Sequence, residues 1–267
     1  MAAGHRETSR ARRRLLIAGG WTLLLAAGGG PAGAQPAPAA TGAPTGAPTG
    51  APTATPAGRD ASKAKISVIG SGRLGGAVGG LLVKAGHPVL FSSRHPEELK
   101  SLVDSLGPLA QAGTVAQAMA FADIVLLAVP YGAVPELGAQ QRWQGKIVLD
   151  ATNAIAPRDG AVVEEVKANG IGPTTAKYLA GARVVRVFNF TGAGEFARES
   201  HRKGAPMAVP LAGDDAGALS VASALVREVG FEPVVVGGLS TADRFAPGGK
   251  LFRQMGTAEE FRRAMAQ

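Results

Sequence analysis

Residues 65–94 read KISVIGSGRLGGAVGGLLVKAGHPVLFSSR, and the rest of the chain is arranged around them. The β-branched run Ile66-Ser67-Val68-Ile69 has the character of a buried parallel strand. Gly70-Ser71-Gly72-Arg73-Leu74-Gly75 follows at once, and then a helix-length segment places Leu74, Val78, Leu81, Leu82 and Ala85 on one face. Gly86 ends that helix, and Pro88 to Phe91 supplies a second strand. A G-x-G-x-x-G pattern gains meaning only in such a strand–turn–helix–strand frame. Gly70 permits a sharp turn off the strand, Gly72 lets backbone approach a pyrophosphate, and Gly75 lets the helix lie close to the sheet. The start of the helix then offers unpaired backbone N–H groups and a positive dipole end to the phosphates.

The end of the second strand distinguishes between dinucleotides. A free ribose 2′-hydroxyl calls for an acid about 20 residues after the glycines. This chain has Ser92-Ser93-Arg94 instead. A carboxylate would repel a 2′-phosphate, whereas the Ser93 hydroxyl and the Arg94 guanidinium can hold one. The expected cofactor is therefore NADP(H). The bland alternative is that Ser93 and Arg94 merely begin the next helix.

Composition narrows the remaining possibilities. The chain has 267 residues, 46% hydrophobic and 18% charged, which suits one globular domain with an appended segment. With no cysteine there is no disulfide, thiolate site or cysteine nucleophile. His5, His87, His95 and His201 are the only histidines, and no two have metal-ligand spacing, so no metal site is expected. Of the formal charge of +8, five arginines against the single acid Glu7 fall within residues 1–34. The remaining 23 basic and 19 acidic residues make no case for nucleic acid.

Residues 1–34 have the form of an export signal: the basic run Arg10 to Arg14, an apolar stretch from Leu15 to Ala27, and Ala32-Gly33-Ala34 as a cleavage site. Arg12-Arg13-Arg14-Leu15-Leu16 resembles a twin-arginine signal, a route for folded proteins. The expected location is thus periplasmic or secreted, with membrane contact only during export or through an uncleaved signal. Residues 35–60 repeat Thr-Gly-Ala-Pro and read as a disordered linker, leaving residues 61–267 as the domain.

Within that domain strands and helices alternate. A helix is expected over Pro96–Leu106, with Leu99, Leu102, Val103 and Leu106 as its buried stripe. Strands are expected at 110–115, 124–129, 147–149, 184–188, 207–211 and 233–236, with helices over 115–122, 162–168, 174–179 and 214–229. The pattern predicts an α/β fold of the Rossmann type, doubly wound, with a mainly parallel sheet and helices on both faces. Ligands then sit at the carboxyl ends of the strands. Val129-Pro130-Tyr131, Asp150 to Asn153 and Phe188 to Thr191 should meet around the nicotinamide, with Asn153 and Asn189 bonding its carboxamide and Pro130 or Tyr131 walling the ring. In the bland reading the asparagines close turns and Tyr131 packs under a loop.

Together these residues resemble the NADP oxidoreductases dependent on the deazaflavin coenzyme F420. The resemblance runs from about Lys65 to Val236, on the Ile69–Gly75 turn, Gly86-His87, Ser93-Arg94, Val129-Pro130, Asp150 to Asn153, and Phe188-Asn189. It implies that Ser71, Gly72, Arg73 and Leu74 line the pyrophosphate and that Ser93 and Arg94 hold the 2′-phosphate. It also implies hydride transfer between NADP(H) and a second redox ring, F420 or a flavin, in a homodimer, with a small-molecule redox acceptor as partner. Members often carry a lysine early in the helix after the second strand; this chain has Glu97 and Glu98, with Lys100 beyond. Hydroxyacid dehydrogenases of the β-hydroxyisobutyrate type and pyrroline-carboxylate reductases share the opening unit but continue into a large helical domain. Here fewer than 80 residues follow Asn189, and they return to strand and helix. No catalytic side chain is nominated, since hydride transfer between rings requires stacking and orientation before acid–base chemistry. A non-catalytic NADP-binding module and an electron-transfer partner of a membrane reductase are the alternative readings.

Overall fold

The computed structural model describes residues 64–267. The expected signal and the whole of the expected linker lie outside the described residues. In chain order the domain consists of β1 (Ile66–Ile69), α1 (Arg73–Lys84), β2 (Val89–Ser92), α2 (Lys100–Leu106), β3 (Ala110–Gly113), α3 (Val115–Phe121), β4 (Ile124–Leu127), α4 (Val134–Gln140) and β5 (Ile147–Asp150). It continues through α5 (Val162–Asn169), α6 (Ile171–Tyr178), β6 (Arg183–Arg186), α7 (Ala193–Glu199), β7 (Ala208–Gly213), α8 (Ala216–Glu228), β8 (Glu232–Gly237) and α9 (Ala258–Ala266).

These strands form one eight-stranded sheet in the order β3-β2-β1-β4-β5-β6-β7-β8. Strands β1 to β6 are mutually parallel, β7 runs antiparallel to β6, and β8 is parallel to β7. Parallel strands buried on both sides need near-continuous apolar runs, and β1, β2 and β4 supply them, with Ile66, Val68, Val89, Phe91, Val125 and Leu126 fully buried. From β1 the chain winds outward through α1 and α2 to β3, then returns through α3 to β4 and winds the other way. Right-handed crossovers in opposite directions place helices on opposite faces. The mainly parallel, doubly wound expectation is met.

Register positions the site. Ile69 pairs with both Ser92 and Leu127, Leu127 with Asp150, and Asp150 with Arg186. The last residues of five strands therefore form one row, and the loops that follow share one edge. The winding reverses between β1 and β4, and a crevice opens at such a reversal.

Local differences from the sequence reading have local causes. The helix expected over Pro96–Leu106 is a 3-10 turn at Pro96–Leu99 followed by α2, and of its stripe only Leu99 is buried. Helices α4 and α7 were not anticipated: each is only seven residues long, too short to show two full turns of apolar period. At the opposite edge of the sheet, buried His87 bonds the Ala64 carbonyl through Nδ1 (2.9 Å) and Glu228 through Nε2 (2.6 Å), anchoring the chain where it enters the domain.

Candidate functional site

At Gly70 the backbone leaves β1 with φ +95°, a conformation that suits glycine, and a Cβ there would stand 2.7 Å from the Ala128 carbonyl oxygen. Gly75 has an ordinary φ but faces the Gly70 carbonyl and Val68 so closely that any side chain would collide with backbone. Gly72 is different. A Cβ on it would meet no protein atom within 4 Å, so its α-carbon faces open space. The helix that begins beyond it has no side-chain cap, leaving its first N–H groups available to a ligand. This arrangement fits a pyrophosphate: a turn held shut by two glycines, and a third kept bare toward the cleft.

The cleft itself has a volume of ≈ 710 Å³. Of the residues expected at the site, Gly70, Ser71, Gly72, Ser93, Arg94, Val129 and Pro130 line it. Arg73 is exposed at the start of α1, Leu74 is half-buried against the core, and Gly75 is buried beneath the turn. Ser71 Oγ donates to the Ser92 carbonyl (3.1 Å), tying the glycine turn to the end of β2. Ser93 Oγ accepts from the His95 N–H (3.0 Å) and keeps its own proton to donate. Part of the bland reading of Ser93 is thus correct: its oxygen closes the turn into Pro96–Leu99.

Arg94 is exposed on the cleft and makes no ion pair among the described residues. The neighbouring polar side chains are engaged elsewhere, His95 with Glu97 (3.3 Å) and Lys100 with Asp104 (2.6 Å). Lys100 does not reach the cleft, whereas Glu98 borders it. A guanidinium without an ion-pair partner among the described residues, bordering this cleft, is a ready anion site.

The far wall came from the structure alone. Helix α4 contributes Glu136, Leu137 and Gln140, Gln141 follows at its end, and the turn before it contributes Ala133. Leu99 and Val115 face them from the β2 and β3 side. Pro135 in the first turn, with Val134 and Leu137 three apart, was the available sequence signal for this helix.

Three expectations for the nicotinamide end need correction. Tyr131 does not wall the cleft: it is wholly buried, with its hydroxyl 3.1 Å from Thr175 Oγ1. Burial pushes its phenol upward, partly offset by the Thr175 bond, so it stays neutral. Asn153 and Asn189 do not border the cleft but bond one another. Asn153 Nδ2 donates to the Asn189 carbonyl (2.7 Å), and Asn189 Nδ2 donates to Asn153 Oδ1 (3.2 Å) and to the Phe245 carbonyl (3.3 Å). Asn189 is only 1% exposed, so its amide serves the protein rather than a carboxamide in this arrangement.

Beneath that pair lies a buried charge network. Arg186 Nη1 donates to Asp150 Oδ2 (2.6 Å), and Nη2 donates to the Thr152 carbonyl (2.6 Å). Both charged side chains are 0% exposed and directly opposed in the β5–β6 register. Phe188, two residues beyond Arg186, takes a left-handed φ of 61°, costly for a bulky residue, and packs edge-on against Phe196 at 5.5 Å. The turn it makes brings Asn189 beside Asn153. Arg158 bonds the Asn153 carbonyl (2.7 Å) and buried Asp159, whose carboxylate also accepts from the Ile155 and Gly132 N–H groups (2.7 and 3.1 Å). Burial works to raise the Asp159 pKa, but these bonds outweigh it and hold the carboxyl below its ordinary range. The loop after β5 is thus pinned to the turn after β4.

Comparison with known proteins agrees with this architecture. The family model described as "NADP oxidoreductase coenzyme F420-dependent" matches residues 65–154, from β1 through the loop after β5. The crystal structure of a hypothetical protein from Sinorhizobium meliloti superposes with a TM-score of 0.63 at 29% identity, covering 73% of this chain and 95% of that one. A protein of Arthrobacter sp. FB24, described as a candidate F420-dependent NADP-reductase, superposes with a TM-score of 0.58 at 25% identity, covering 67% of this chain and 86% of its own. Metalloreductase STEAP3 of Rattus norvegicus is 28% identical over 185 residues, covering 67% of this chain and 35% of its own, so the chain spans about a third of that relative's length. In its glycine turn, its sheet and this match, residues 65–154 of the chain are similar to the NADP oxidoreductase, coenzyme F420-dependent, family.

Proposed function

We propose that this chain binds NADPH in the crevice between β1 and β4 and passes hydride to a second redox ring, the deazaflavin F420 or a flavin. The observation that carries this reading is the meeting, in one cleft of ≈ 710 Å³, of the bare Gly72, the uncapped start of α1, and Arg94, which has no ion-pair partner among the described residues. When bound, NADPH supplies the hydride; the protein supplies attachment and orientation. In this reading α1 and Gly72 receive the pyrophosphate, and Ser93 and Arg94 receive the 2′-phosphate. Val129 and Pro130 then direct the nicotinamide half along the row of strand ends.

The reading is tested by fluorescence titration of the full chain with NADPH and NADH, repeated with Arg94→Ala, followed by NADPH oxidation assays with F420, FMN and FAD. Preference for NADPH that disappears in the variant, and turnover with one of these rings, supports it. Equal affinity for the two nucleotides removes the 2′-phosphate argument, and NADPH that binds but is never oxidised leaves a binding module. A second reading, delivery of electrons to a partner reductase, is favoured by the similarity to Metalloreductase STEAP3, of which the chain spans about a third. It expects NADPH oxidation only when such a partner is added.

A further inference from the structure

The end of the cleft bounded by α4 has a chemical asymmetry that the phosphate sites do not explain. Its two faces are apolar: Leu99 and Val115 on one, Ala133 and Leu137 on the other. Such facing apolar surfaces suit a flat aromatic base. On the α4 face two polar side chains also border the cleft, Glu136 and Gln140, one helical turn apart. Gln140 Nε2 donates to Glu136 Oε1 at 2.8 Å. An ionised carboxylate only accepts, so this bond determines which way the amide points. The atoms left over are Glu136 Oε2 and Gln140 Oε1. Both are acceptors, and neither has a hydrogen-bond partner among the described residues.

We infer that Glu136, held in place by Gln140, reads the base of the dinucleotide by accepting a hydrogen bond from the exocyclic amine of adenine. The inference rests on the NADPH reading above and adds to it a residue that sets base specificity. Adenine presents an N–H donor at its 6-position. Hypoxanthine has a carbonyl acceptor at that position and its proton one ring atom away on N1, so a carboxylate placed to accept from the 6-amine would face an oxygen with no proton to share. A site built to bond an N–H rejects an analogue that lacks it, because its own polar group is left without a partner.

The experiment uses NADPH and its hypoxanthine analogue, titrated against the full chain and against Glu136→Gln. Glu136 is exposed on α4, so the substitution leaves the core untouched, and a thermal melt checks this. The wild-type chain should bind NADPH about tenfold more tightly than the analogue, the scale of one hydrogen bond to a charged group. In Glu136→Gln the bond from Gln140 takes the side-chain carbonyl and turns an amide N–H toward the base, so the preference should vanish or reverse. Equal binding of the two nucleotides by the wild-type chain overturns the inference and leaves the NADPH reading standing. So does a variant that loses affinity for both with their ratio unchanged, because Glu136 would then only shape the wall. Failure of both nucleotides to bind the wild-type chain overturns the NADPH reading, and the inference with it.

Discussion

Replacing Gly72 by alanine separates ligand binding from folding at one atom. At this position φ is −73° and ψ is −161°, an extended conformation open to alanine, and the added methyl meets no protein atom within 4 Å. Lower entropy of the unfolded chain should stabilise the variant by about 0.4–1 kcal/mol. Alanine is a poorer helix N-cap than glycine, which costs a similar amount, on the order of 0.5–1 kcal/mol. The two effects nearly cancel, and at about 2–4 °C per kcal/mol for a domain of this size the melting midpoint should move by no more than about 2 °C. The cleft is affected differently. The methyl occupies the space over which a pyrophosphate would approach the start of α1, so the charge-assisted bonds from the helix N–H groups lengthen or break. Losing about 1.5–3 kcal/mol of such bonding weakens NADPH by roughly 10- to 150-fold. Fluorescence titration and thermal melts on the same preparations check both halves. Gly75→Ala is the opposite control, because its methyl collides with the Gly70 carbonyl and Val68, and it should lower the melting midpoint before binding is considered. A folded Gly72→Ala chain that binds NADPH as tightly as wild type would refute the placement of the pyrophosphate.

Further outcomes follow from the same geometry. Arg94→Ala should weaken NADPH by roughly tenfold or more while leaving NADH unchanged, as parallel titrations would show, since only a 2′-phosphate calls on that guanidinium. Arg186→Met leaves the Asp150 carboxylate buried without its cation and should destabilise the domain by about 3–5 kcal/mol in denaturant unfolding. Adding Asp150→Leu to that variant should recover much of the loss, because the desolvated charge is then gone. Asp159→Asn should destabilise at neutral pH, with the deficit shrinking on acidification. The Asp159 carboxyl is depressed in the fold, so its contribution is complete above the ordinary carboxylate range and is lost as pH falls through the lower, folded value. Melts of wild type and variant across acid pH would show the two curves converging.

Much of this architecture is legible along the chain because it is local. The run Ile66–Ile69 reads as a buried strand, Gly70-Ser71-Gly72-Arg73-Leu74-Gly75 as a tight turn into a helix, and Ser93-Arg94 stands where an acid would otherwise be. Each depends on residues within a few positions of one another, where backbone sterics and side-chain period act directly. The seven lining residues anticipated from sequence all belong to such segments, the ends of β1, β2 and β4.

The rest depended on what the fold brings together. An alternation of apolar runs does not say that β7 enters antiparallel to β6, because strand direction is decided by how the connecting chain packs. Nor could it say that Asn153 would find Asn189, 36 residues away, and Asn189 the Phe245 carbonyl, 56 residues away, so that amides suited to a ligand bond the protein itself. A polar side chain satisfies whichever partner desolvation places beside it, and that partner is named only by tertiary contact. Tyr131 was buried for the same reason, and Glu136 and Gln140 came to face the cleft because α4 packs there. Sequence determined which strand ends could form a dinucleotide site; tertiary packing decided which side chains face it, because burial and hydrogen bonding are settled between segments far apart in the chain.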